Sequence, residues 1–241
     1  MKNIKVKIVL IGHLRHSLNL KKLKRFKSNL FSITEVERIN TLPKPQKDDG
    51  FLDVVYSREE IESIMKPVNT SDVVVGIINY RFDDNFYLHR VGKNKACISI
   101  AEIDSFLLGH NISIENFILK NILEMVVFKN ALGDVDGDEV YQLVHQDTRG
   151  CLFDLNGDKF DVVYNTEKPI ICESCKAYLN SKSLPPNFIK HVGRELKRIR
   201  KPFICSIEMF IKKYPLFSMS VTLISSILIN LLSNVIWGLI E

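Results

Sequence analysis

The sequence has none of the short motifs that announce the commonest enzyme chemistries. It contains no GxxxxGK and no GxGxxG, so neither glycine-rich phosphate cradle is present, and the opening IGHLRH supplies no substitute. A GxSxG nucleophile elbow is missing as well. Cysteine is sparse and odd in number, five in 241 residues, so complete disulfide pairing is excluded. No secretory signal opens the chain, and reduced thiols in a cytosolic compartment are the expectation. Charge is missing altogether from Leu216 to Ile240. What is present is otherwise ordinary: 46% hydrophobic and 25% charged residues exclude wholesale disorder. The net charge of +5 is modest, and its excess sits in two runs, residues 18–27 and 190–202.

The periodicity predicts an α/β chain (α+β), with a mixed sheet around one buried helix. KNIKVKIVL reads as an opening strand that ends at Ile11-Gly12. Leu18, Leu20, Leu23, Phe26 and Leu30 among lysines predict an amphipathic helix over 18–31. Residues 41–50 read as a loop, and 57–68 as a helix with a capping box, Ser57 to Glu60. The β-branched run in 71–82 predicts a strand, and 96–104 a second. From Ser113 to about Leu132 the apolar residues cover nearly the whole circumference of a helix, which marks it as central and buried. Beyond Gly133 the expectation is short turns and strands, followed from Pro186 by basic helices reaching 213.

The uncharged segment 215–240 is long enough as a helix to cross a bilayer. Its serines and asparagines, Ser218, Ser220, Thr222, Ser225, Ser226, Asn230, Ser233 and Asn234, suit helices that pack on one another in lipid, so self-association is expected. Lys190, Arg194, Lys197, Arg198, Arg200, Lys201, Lys212 and Lys213 precede it and no cation follows. By the positive-inside rule the body then lies in the cytosol, at a cell inner membrane crossed once, and Trp237 anchors at the far face.

His145, Cys151, Cys172 and Cys175 are separated by five, twenty and two residues. The CxxC pair lets two thiolates reach one ion from a tight turn, and the other two complete a tetrahedral zinc set. Four protein ligands leave no place for water, so the expected zinc, one per chain, is structural rather than catalytic. Cys97 and Cys205 lie in apolar contexts and are expected to be buried bystanders. Asp134, Asp136 and Asp138 begin like a calcium loop, but Glu139 and His145 stand where the loop needs glycine and glutamate, so a solvated acidic turn is expected.

Around this cluster the chain resembles the archaemetzincin branch of the metzincin zinc peptidases. DVVVGIINYRF and ACISIAEID resemble that family's upstream strands, IENFILKNILEMVVFKNALG its active-site helix, and GCLFD with FDVVYNTEKPIICESC its downstream metal-binding part, over about residues 70–178. The resemblance implies a structural zinc at Cys151, Cys172 and Cys175, with His145 as fourth ligand. It does not carry the catalytic site over. With Glu124 at the place of the motif's glutamate, Leu123 and Val127 occupy the two histidine positions, and no HExxH occurs in the chain.

Three functions follow as expectations. The first is a non-enzymatic, membrane-anchored protein of domain organisation 1–180 (α/β with a zinc knuckle at 145–175), 186–213 (basic juxtamembrane helices) and 215–240 (membrane helix). Its cytosolic domain binds an unknown ligand or protein partner, a layout similar to membrane-disrupting effectors of bacterial defence systems. The second is a divergent zinc metallopeptidase, the third a zinc-ribbon nucleic-acid binder. Nucleic acid is not the expected partner, because the basic runs lack interleaved aromatics apart from Phe26 and the second abuts the membrane segment.

Overall fold

The structure is a computed structural model that describes residues 2–15, 17–46, 54–69, 71–200, 207, 210–211 and 214–240. It divides into two units, Met1–Arg200 and Lys201–Glu241.

The first unit is built on a five-stranded sheet of order β2-β1-β4-β7-β6. Strand β1 (Ile4–Ile11) runs parallel to β2 (Phe31–Ile39) on one side and to β4 (Val73–Ile78) on the other. Beyond β4 lies β7 (Lys95–Ser99), also parallel, and then β6 (Leu88–Arg90), which is antiparallel and closes that edge. β1 and β4 are buried on both faces, as central strands of a covered parallel sheet must be. Lys7 is consequently only 2% exposed, and its ammonium reaches Glu37 at 2.7 Å and Glu35 at 3.3 Å on β2. Those carboxylates, Glu37 first, raise the lysine's pKa against the pull of burial. Short β3 (Val55–Tyr56) and β5 (Arg81–Phe82) pair in a second, two-stranded sheet.

Several expected elements change on folding. The helix expected over 18–31 is only α1 (Leu20–Lys24), capped by the Asn19 side chain. The Arg25 amide closes its last turn on the Lys21 and Leu23 carbonyls. The Ser28 hydroxyl instead accepts from the amides of Leu30 and Phe31 and starts β2, a strand the sequence reading did not separate. α2 (Arg58–Met65) has the full capping box at Ser57 and Glu60. The strand expected over 71–82 breaks after Ile78, and the one over 96–104 stops at Ser99. There the Ser99 hydroxyl donates to the Tyr80 carbonyl and α3 (Ile103–Gly109) begins.

α4 (Ile114–Leu132) matches its expected span and is the central helix: its residues from Glu115 to Phe128 are all buried. Ser113 caps its first turn, and Gly133, at φ +75°, closes it in the left-handed conformation glycine tolerates. The Glu115 carboxylate does not bond back to its own cap but accepts from the Asn19 amide at 2.8 Å, tying α4 to α1. The segment after Gly133 holds more helix than expected: a 3₁₀ turn (Asp138–Gln142), α5 (Asp161–Glu167) and α6 (Glu173–Asn180). α7 (Phe188–Ile199), the start of the basic segment, buries Phe188, Val192, Leu196 and Ile199 in this same unit. Residues expected as helix between 201 and 213, with Cys205, lie mostly outside the described residues.

In the second unit α8 (Pro215–Ile240) exposes Leu216, Leu223, Ile229 and Trp237. Its Pro215–Asn234 stretch has a mean hydropathy of 1.8 and is long and apolar enough to cross a membrane. Ser218, Ser220, Thr222 and Ser226 each donate to the carbonyl one turn earlier, at 2.9–3.0 Å, so these hydroxyls carry their own partners.

Candidate metal centre

Cys151 is placed by a short crossing of two loops. Gly150, at φ +84°, turns the chain so that the Leu152 amide donates to the Ile170 carbonyl and the Ile170 amide to the Gly150 carbonyl. The buried Asn165 amide holds the Cys151 carbonyl at 2.7 Å. This pairing sets residue 151 beside Cys172, twenty-one positions along the chain. Cys172 is the N-cap residue of α6 and Cys175 lies in its first turn, so the CxxC pair sits on a helix start rather than in a knuckle turn. His145 is fixed by its own backbone, which accepts from the Leu155 amide and donates to the Phe153 carbonyl.

The four side chains predicted as ligands converge. Their ligand atoms all lie within 4.8 Å of one another. Cys151 Sγ and Cys175 Sγ are 4.0 Å apart, and Cys172 Sγ and His145 Nε2 3.4 Å. A tetrahedral zinc with Zn–S of ~2.3 Å and Zn–N of ~2.0–2.1 Å requires edges of ~3.8 and ~3.5 Å. The set therefore suits one zinc ion. Cys151 is wholly buried, Cys175 and Cys172 nearly so, and the three sulfurs are free thiols. The neighbouring Cys175 sulfur is the main influence holding the Cys151 thiol down, to about 5, helped by the amides of Cys172 and Phe153 and by His145. The same proximity pushes the Cys175 thiol up. An ion bound here would be held by thiolates and would displace their remaining protons.

Polar residues near the cluster in sequence have partners of their own. Arg149 Nε lies 3.4 Å from Asp161, and Asp154 accepts from the amides of Gly150 and Asn156. Asp136 is not a solvated turn residue: both its oxygens meet Arg58, at 2.9 and 3.0 Å, and one also accepts from the Gly92 amide. Cys97 is buried, as expected, and burial raises its thiol well above the usual range.

Sequence reasoning missed what surrounds Glu124. This carboxylate, 3% exposed, accepts from Arg90 of β6 at 3.1 Å and from Lys120, one turn before it on α4, at 3.4 Å. Burial opposes the Lys120 charge, but Tyr87 and Glu124 outweigh it and keep the ammonium protonated. No local pattern announces a pairing between residues 90 and 124. Also unforeseen is a second trio, in which the buried His89 Nε2 lies 3.5 Å from Asp84 with Asp83 beside it. Both carboxylates there are exposed, and such acidic groups are common on surfaces without a cation.

No family model matches this sequence, and no curated protein matches it. Among solved structures it is similar to the archaemetzincin of Methanopyrus kandleri, with 12% identity and a TM-score of 0.48 over 74% of this chain and 94% of that one. It is also similar to the archaemetzincin of Archaeoglobus fulgidus complexed with malonate, with 15% identity and a TM-score of 0.45 over 72% of this chain and 99% of that one. Both are members of the family that the sequence resembles between residues 70 and 178.

Proposed function

We propose that the chain is a membrane-anchored binding protein whose α/β domain is clasped by one structural zinc and has no hydrolytic centre. The closed His145, Cys151, Cys172, Cys175 set carries this reading. With four side-chain ligands it leaves no position for the water that a hydrolytic zinc has to hold and acidify. The environment of Glu124 supports it: that carboxylate is engaged by two cations on a helix that has no histidine, and a general base needs a free lone pair facing substrate.

The anchor is α8, which enters the membrane once, at a cell inner membrane. The cations before it and their absence after it favour a cytosolic domain, and the serine-rich face favours self-association in lipid. An output that perturbs the membrane, as in a defence effector, extends the same reading.

Full-length protein subjected to elemental analysis and detergent phase separation tests the proposal. One zinc per chain in the detergent phase is the expected result. Two zincs per chain, with peptide hydrolysis lost in Glu124→Ala, would replace it with a metallopeptidase; recovery in the aqueous phase would remove the anchor. The effector extension fails if high-level expression leaves the membrane potential intact.

A further inference from the structure

The sheet has a second feature with chemical content, at the carboxyl ends of its parallel strands. Chain order reverses at β1: β2 follows on one side, β4 and β7 on the other. In open parallel sheets the crevice outside the carboxyl ends of the strands, at such a reversal, is where ligands sit. Here that place is hollow. One cavity of about 520 Å³ lies over the ends of β1 and β2 and is lined by His13, Arg15, Ser17, Arg38 and Asn40. A second, of about 420 Å³, lies over the ends of β4 and β7 and is lined by Asn79, Tyr80, Arg81, Glu102 and Asp104. Arg15 borders both.

The two halves differ in charge. Among the described residues, the first is lined by no carboxylate, and neither Arg15 nor Arg38 has an ion-pair partner. Two uncompensated guanidiniums beside a histidine and small polar groups match a phosphate. The second half offers acceptors. Glu102 is held at φ +66°, a left-handed conformation costly for glutamate, where it receives Lys159 at 2.5 Å and lies 3.8 Å from Arg81. Asp104 is buried beside it and accepts from the Ser105 amide. Carboxylates and Asn79 suit sugar hydroxyls. The turn between the halves depends on Gly12: at φ +68° a Cβ there would stand 2.7 Å from Leu42 Cδ1 and 3.3 Å from the Tyr80 ring.

We propose that this crevice binds a sugar phosphate, free or as part of a nucleotide, with its phosphate on Arg15 and Arg38 and its hydroxyls on Glu102 and Asp104. It uses none of the four zinc ligands and no residue of the anchor.

Calorimetric titration of the full-length protein in detergent with ribose 5-phosphate, adenosine monophosphate and inorganic phosphate tests it. Saturable binding of either ribose phosphate supports the site; preference between the two tells the free sugar phosphate from the nucleotide. Arg15→Gln and Arg38→Gln, both at exposed positions and so compatible with folding, should each weaken binding roughly tenfold or more. Lys190→Gln, on exposed α7 surface, should leave it unchanged. The proposal is overturned if none of the three compounds binds at about 1 mM, if inorganic phosphate binds as well as the sugar phosphates, or if both arginine variants bind like the parent.

Discussion

Replacing Cys172 by serine removes one sulfur from the clasp while leaving the helix start it caps nearly unchanged in shape. The size of the effect follows from what the ion joins. Zinc would link Cys151 to Cys172 across twenty intervening residues that contribute only one short helix, α5, and two isolated bridges. Treated as a cross-link, closing a loop of that length is worth about 3 kcal/mol. Structural zinc in small domains contributes ~10–16 kcal/mol of apparent binding free energy at neutral pH, comparable with the ~5–15 kcal/mol stability of a whole domain. Once the ion is gone, the loop term is the least that is lost. At roughly 2–4 °C per kcal/mol for a chain of this size, Cys172→Ser should lower Tm by about 6–12 °C. Circular dichroism melting with parallel elemental analysis reads both consequences, and chelation of the parent protein should approach the variant. A variant that keeps one zinc per chain and melts within about 2 °C of the parent would refute the argument that this cluster holds the segment together.

Three further outcomes are expected. Glu124→Gln should destabilise by about 3–5 kcal/mol in urea denaturation, since it strands Lys120 and Arg90 without a counter-charge; changing all three together, Arg90→Met, Lys120→Met and Glu124→Leu, should recover much of that loss. His89 has a pKa lowered chiefly by burial, so the unfolded chain takes up its proton first. Its contribution to stability is complete above the unfolded value of about 6.5 and falls as pH drops below it, and His89→Gln should flatten that slope in melts run across the range. Gly76→Ala would place a methyl 2.9 Å from Ile11 Cδ1 and about 3.0 Å from the Met65 sulfur, in the centre of the sheet; denaturation should show a loss of about 1–3 kcal/mol, and none at all would mean that these side-chain ends move aside freely.

What the sequence disclosed was local. The capping box at Ser57, the all-round apolar helix from Ile114 and the CxxC spacing are readable because each signal lies within one or two turns of chain. The convergence of His145 and Cys151 on the CxxC pair was legible for a related reason, since few other side chains of that chemistry exist. β2 was overlooked because the alternation in FSITEVERI breaks after Ile33, at the bulge, and the leucines before it drew the helical period past Phe26. β6 is three residues long and too short for any period. Asp136 with Arg58, and Glu124 with Arg90, pair across 78 and 34 positions. Such contacts are decided by how strands are ordered, which no window on the sequence contains.

The outer strand β2 has a consequence for how copies of this molecule can meet. It is nine residues long and, among the described residues, forms an open border of the sheet. A strand from another molecule laid along it would have to dehydrate Glu35 and Glu37, 60% and 39% exposed and already committed to one buried lysine, together with Arg38. It would also meet the bulge at Thr34, where the pairing with β1 shifts register. Charge and a broken ladder are the defences by which natural sheets refuse to grow, and the other border is too short to template anything. This domain can therefore be crowded on one surface at high density and still remain a set of separate folded bodies.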